Sequence, residues 1–133
     1  MSEYLLEIIT PEKQFYNGMV EAVTCCTSDG ELGILKGHCP MVASLEVSEI
    51  KLKINGVWKN AFLSQGFMEV RPDKVIIFSQ CCEWPEEIDA VKAEEARLRA
   101  LDHIRHENGI REHRHNEISL ARALTRLKIK KGI

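Results

Sequence analysis

Ile50-Lys51-Leu52-Lys53-Ile54-Asn55-Gly56-Val57-Trp58-Lys59-Asn60-Ala61-Phe62-Leu63 reads as two short strands and the turn that joins them. Ile50, Leu52 and Ile54 alternate with Lys51 and Lys53, a period of two that sends one face to a core and the other to water. Asn55-Gly56 supplies the two residues that most readily take positive φ in succession, as a type I′ turn demands. The stretch predicts a β-hairpin.

The same grammar extends in both directions. Downstream, Gln65-Gly66 breaks the run, residues 67–71 resume it, Pro72-Asp73 turns, and Val75-Ile76-Ile77-Phe78 reads as a buried strand. Upstream lie residues 41–45, a β-branched run over 4–10 that Pro11 ends, and one strand over 19–27 followed by the turn Ser28-Asp29-Gly30. Eight or more short strands at such spacing predict a flattened β-sandwich or barrel. Residues 29–40, with Gly30, Gly33, Gly37, His38 and Pro40, read as a loop of specified shape.

After Trp84-Pro85 the period changes. Glu86, Glu87 and Asp89 place acid in the first turn of a helix, and Ala93, Ala96, Ala100, Leu101 and Ile104 recur at helical spacing. Asn108-Gly109 is expected to stop that helix, with glycine as a left-handed cap. A second helix presents Leu120, Ala123 or Leu124, and Leu127, and ends in Arg126, Lys128, Lys130 and Lys131. Joined by a short turn, the two should lie antiparallel, acidic start against basic end. Their shared interior is mostly alanine, so the gain of about 1.5–3 kcal/mol per buried Leu or Ile falls short of the ordering entropy. The pair must dock on something else, and a movable element is expected.

Composition agrees with one core and an appendage: 133 residues, 44% hydrophobic and 29% charged. Residues 1–85 carry 7 Lys and Arg against 11 Asp and Glu, whereas 86–133 carry 11 against 9. Neither part is basic enough for a nucleic-acid binder. No apolar run spans a bilayer, and Met1-Ser2-Glu3-Tyr4 does not open a secretory signal, so no direct membrane insertion is expected. Five cysteines, two pairs of them adjacent, make a poor disulfide framework and point to a reducing compartment.

Candidate chemistry is sparse. The glycines of residues 29–40 lack the Gly-Lys-Ser/Thr ending of a phosphate loop, and His38 has no nucleophile or carboxylate motif around it. His103, His106, His113 and His115 with Glu107 and Glu112 would form either a metal cluster or a set of exposed turn residues. Arg122 and Arg126, four residues apart, repel unless an anion lies between them, Asp89, Glu94 or Glu95 neutralises them, or water solvates them. No acid–base pair, nucleophile or metal motif supports an enzyme.

Gly30-Glu31-Leu32-Gly33-Ile34-Leu35, Gly37-His38 and Pro40, together with Gln65-Gly66-Phe67-Met68-Glu69-Val70, resemble the epsilon subunit of bacterial and chloroplast F-type ATP synthases, and the resemblance runs the length of the chain. It implies a ten-stranded flattened β-sandwich (1–85) followed by a mobile, regulatory antiparallel two-helix hairpin (86–133). It implies a non-catalytic rotor subunit, peripheral at the cytoplasmic face of the bacterial membrane. Glu31 and Gly33 would face the c-ring, His38 and Pro40 the gamma subunit, and the extended helices the alpha and beta subunits, inhibiting ATP hydrolysis.

Some bacterial members bind ATP in the folded hairpin through Ile/Leu-Asp-x-x-Arg-Ala, which Ile88-Asp89-Ala90-Val91-Lys92-Ala93 resembles. Glu83, Arg99, Arg122 and Arg126 match further positions of that site. Lys92 departs from the pattern, keeping the charge but losing the forked donor geometry; Lys36 and Cys39 depart where proline and a small residue are common. No cofactor is required on this reading, and ATP, alone or with Mg2+, is a regulatory ligand. The alternative is a free-standing nucleotide- or metal-responsive binding module.

Overall fold

The computed structural model describes residues 3–131. Ten strands precede two helices: β1 (Tyr4–Ile9), β2 (Gln14–Val20), β3 (Ala22–Thr27), β4 (Gly30–Leu35), β5 (Met41–Leu45), β6 (Ser48–Ile54), β7 (Val57–Leu63), β8 (Gly66–Val70), β9 (Lys74–Ser79), β10 (Cys82–Glu83), α1 (Ala90–Arg105) and α2 (Ile110–Lys131). The pairing path runs β10-β7-β6-β3-β5-β8-β9-β1-β2, with β4 on β3. Every pairing is antiparallel except β1 with β9. A single residue pair, Thr27 with Leu45, joins β3 to β5. About that corner the two halves close over one core, which holds Leu6, Ile8, Val20, Val23, Ile50, Leu52, Leu63, Met68 and Ile77.

The opening hairpin forms as expected. Asn55 and Gly56 have φ of 51° and 78°, and the Gly56 amide donates to Glu21 Oε1 at 2.7 Å, fixing the turn to the start of β3. Leu52 and Ile50 are fully buried while Lys51 is exposed. The adjacent cysteines point to opposite sides, with Cys25 and Cys82 buried, Cys26 and Cys81 half-buried, and all five thiols free.

Four expectations need correction. Residues 29–40 are not all loop: Gly30–Leu35 is β4, in register with β3 from Thr27↔Gly30 to Ala22↔Leu35. Its glycines masked an alternation in which Ile34 is buried between exposed Gly33 and Leu35. The single strand over 19–27 is two, parted at Glu21, whose amide bonds Lys53 O at 2.8 Å. The first helix starts at Ala90, because Asp89 is its N-cap and residues Pro85–Glu87 form a separate 3-10 turn. Gly109 does not adopt positive φ; its carbonyl accepts the His113 amide at 2.9 Å, so it opens α2 rather than closing α1.

The helices lie antiparallel, and α2 packs on β6 and β7. Ala93, Ala100 and Ala123 are buried between them, while Leu124 faces solvent. Apolar docking is confined to Phe62, Ile88 and Ile129, with Val47 and Cys81 at its edge. Three side chains of that size contribute about 1.5–3 kcal/mol each, far less than the sandwich core. The attachment therefore depends on polar contacts as well.

Candidate functional site

The predicted partner-facing residues line different grooves, of which those of Gly33 and His38 meet at Ile34 and Leu35. Glu31 is exposed opposite Cys26 and lines a groove of about 450 Å³ with Thr24, Lys51 and Trp58. Gly33 borders the adjoining groove with Leu35 and Trp58, and a Cβ placed on it would meet nothing within 4 Å. No packing inside the chain requires glycine there. His38 and Pro40 line a different groove, of about 530 Å³, with Tyr4, Met19, Arg71 and Lys74. The His38 amide bonds Leu35 O at 3.2 Å and its ring Nδ1 lies 3.0 Å from Cys39 O. The second contact holds the ring to its own loop.

Glu83, Ile88, Arg122 and Arg126 of the predicted nucleotide site lie where the hairpin meets the sandwich, and several of the site's residues are already engaged within the chain. Asp89 Oδ1 accepts from the amides of Val91 and Lys92 at 3.0 and 3.2 Å, satisfying two of the free donors at the start of α1. Ile88 and Ala93 are buried. Arg126 Nε donates to Glu83 Oε1 at 2.7 Å, its guanidinium stacks 4.4 Å above the Phe62 ring, and Nη2 lies 3.5 Å from Cys81 Sγ. Arg122 donates from Nε to Ser64 Oγ at 2.8 Å and from Nη2 to Gln65 Oε1 at 2.9 Å. Lys92 and Arg99 are exposed, and their side chains form no hydrogen bond or ion pair among the described residues.

The arginine pair is thus neither simply solvated nor neutralised from the first helix. The neutralising carboxylate is Glu83 from β10, and none of Asp89, Glu94 or Glu95 takes that role. Glu94 instead pairs with Arg97, whose hydrogen bond holds the carboxyl below its usual range, with Lys131 adding a smaller pull. Burial pushes the Cys81 thiol up, against the opposing pull of Arg126 and Arg122. Lys130 Nζ reaches Pro85 O at 3.1 Å, so the basic end of α2 does meet the start of the helical segment.

Ser64, Gln65 and Phe62, which receive the two arginines, lie 57 to 64 residues from their partners, and none of them forms a motif with an arginine. The histidines do not converge: among the described residues no three His, Cys, Asp or Glu side chains are placed to hold a metal ion. No described helix is long and apolar enough to cross a membrane.

Residues 3–85 match the beta-sandwich domain, and residues 86–131 the long alpha-helix domain, of the ATP synthase Delta/Epsilon chain family. The chain is 45% identical over 125 residues to the ATP synthase epsilon chain of Caldanaerobacter subterraneus subsp. tengcongensis, covering 93% of this chain and 91% of that one. It is 40% identical over 129 residues to the epsilon chain of Bacillus pumilus, covering 97% and 98%. A chain in the cryo-EM structure of the Euglena gracilis mitochondrial ATP synthase (OSCP/F1/c-ring) superposes with a TM-score of 0.77 at 24% identity, over 91% of this chain and 77% of that one; at that identity the likeness speaks for the fold. By its two domain matches and by relatives 40% and 45% identical along nearly its whole length, this chain belongs to the epsilon chains of ATP synthase.

Proposed function

We propose that the chain is a non-catalytic subunit of the rotor's central stalk, peripheral at the cytoplasmic face of the membrane, which couples F1 to the c-ring and restrains ATP hydrolysis through its helices. The observation that carries the reading is the unequal attachment of the two parts. The sandwich has a complete core of its own, whereas the helical segment is held by three apolar side chains, the Arg122 and Arg126 contacts and the exposed Lys13–Glu87 ion pair. An element so attached can leave without unfolding what it leaves. That Glu31 and Gly33 line other grooves than His38 and Pro40 supports two neighbouring partners for the sandwich, the c-ring on the first and the gamma subunit on the second. Released helices would lie along gamma and meet alpha and beta with the basic end of α2.

ATP, alone or with Mg2+, enters this reading as the ligand that stabilises the docked hairpin by mass action. Lys92 and Arg99, exposed and without side-chain partners among the described residues, are the cations available to its phosphates. Arg122 and Arg126 would have to exchange Ser64, Gln65 and Glu83 for phosphate, so affinity would be modest. Titration calorimetry of the whole chain checks this part: saturable millimolar binding weakened by Arg99→Ala supports it, and no heat at millimolar ATP removes it.

The assembly reading is tested by co-purification with the synthase from membranes. Glu31→Lys and His38→Trp should each recover several-fold less complex while melting close to the wild-type temperature, because Glu31 is exposed and His38 is half-buried at a groove outside the core. Undiminished recovery of both variants would contradict the two-partner assignment.

A further inference from the structure

The first turn of α2, beside the connection from α1, contains a histidine with a carboxylate on each ring nitrogen. Nδ1 of His113 meets Oε1 of Glu107, and Nε2 meets Oε1 of Glu117 one turn farther along α2. The second oxygen of Glu107 accepts from Nδ2 of Asn116 at 3.3 Å, and Asn116 is buried, at 3% exposure. The neighbouring Asn108 amide is held by Glu112 Oε2 at 3.2 Å. Glu107 thus carries the connecting segment onto the face of α2 through two contacts, one of them His113.

A neutral imidazole has one N–H and one lone pair, so it can donate to only one of two carboxylates. The other carboxylate would then face a lone pair and be repelled. The arrangement is complete only for the imidazolium, which donates from both nitrogens. We infer that His113 is a pH-dependent clamp on the interhelical turn, joining Glu107 to Glu117 when it carries two protons and undoing that link when it loses one.

The charged groups acting on the ring are Glu107 from the connecting segment and Glu117 from α2. The end of α1 sets Asp102 against its own His106, at 3.7 Å on exposed side chains, and supplies no listener to His113 among the described ion pairs. Hydrogen bonding to Glu107 raises the His113 pKa above its ordinary value, partial desolvation opposes that, and the charges of Glu107 and Glu117 reinforce it. A pKa raised in the folded state means that the stabilisation is fully present below the unfolded value and is lost as pH rises through the folded value. The clamp therefore tightens the turn in mildly acidic solution and loosens it in mildly alkaline solution. It concerns the chain by itself and is independent of the assembly reading.

NMR titration of the full chain between pH 5 and 9 tests the inference. The His113 ring should titrate above the ordinary histidine value, with the amides of Glu107, Asn108 and Asn116 following the same midpoint and hydrogen-exchange protection of that turn falling several-fold across it. Glu117→Gln, at an exposed position that does not endanger folding, should lower the midpoint; His113→Gln should abolish the shared transition while leaving the sandwich signals in place. Titration of His113 at or below the ordinary value, or turn amides that do not follow it, would overturn the inference.

Discussion

Gly66→Ala is expected to destabilise the sandwich by about 3 kcal/mol or more, at or beyond the upper end of overpacking substitutions. β8 lies inside the sheet between β5 and β9, and Gly66 is in register with Leu45 on one side and Ser79 on the other. A Cβ at this position would stand 1.8 Å from the carbonyl oxygen of Phe78 and 2.9 Å from Ser79 Cα. Both obstacles are backbone atoms of a paired strand, so no rotamer change relieves the clash and β8 and β9 must separate. Gly33→Ala is the matched control: it adds a methyl group to open space and should change stability by less than about 0.5 kcal/mol. Urea denaturation of the two variants reads the difference as a fall in midpoint at unchanged slope for the first and almost none for the second.

Arg126→Ala is expected to undock the hairpin while sparing the sandwich. The side chain joins α2 to β10 through Glu83 and to β7 through the Phe62 ring, and both members of the ion pair are only about a quarter exposed, at 25% and 27%. A hydrogen bond to a charged group contributes about 1.5–3 kcal/mol, and a cation over an aromatic face about 0.5–2 kcal/mol. Partial solvation reduces their sum to about 2 kcal/mol, which is roughly thirty-fold in the ratio of docked to undocked chains. Arg126→Lys should fall between, since an ammonium keeps the charge but cannot both fork to Glu83 and lie flat on Phe62. Limited proteolysis in residues 84–90 measures the outcome: rapid cutting for alanine, intermediate for lysine, slow for the parent chain. Equal rates in all three would mean that the apolar contact of Phe62, Ile88 and Ile129 suffices without the arginine.

These two expectations mark where sequence reading was strong and where it stopped. Asn55-Gly56, the alternation on β6 and the change of period after Pro85 carry their structure in nearest neighbours, so hairpin, sandwich and helical pair were all legible. Gly30 and Gly33 concealed β4, because a glycine in an edge strand looks the same as a glycine in a loop when the partner strand is unknown. Gly109 misled in a related way, since a glycine between helices serves the end of one or the start of the other. Arg122 and Arg126 were recognisable as a pair that needed a counterpart, but Ser64, Gln65 and Glu83 lie 43 to 58 residues away. Long-range contacts of that kind follow from how α2 lands on β7, which local periods do not encode. For Glu31, Gly33, His38 and Pro40 the residues themselves gave only a shaped segment; the grooves that each of them lines depend on strands and loops distant in the chain.

The most direct measurement is the ATP hydrolysis rate of a synthase reconstituted with the whole chain and with a chain ending at residue 85. The isolated sandwich retains its own core, so both forms should enter the complex in equal amount, and the shortened form should hydrolyse ATP several-fold faster. Equal rates at equal occupancy, or a complex that excludes the full chain, would contradict the central claim that the sandwich anchors this subunit and its helices regulate the enzyme.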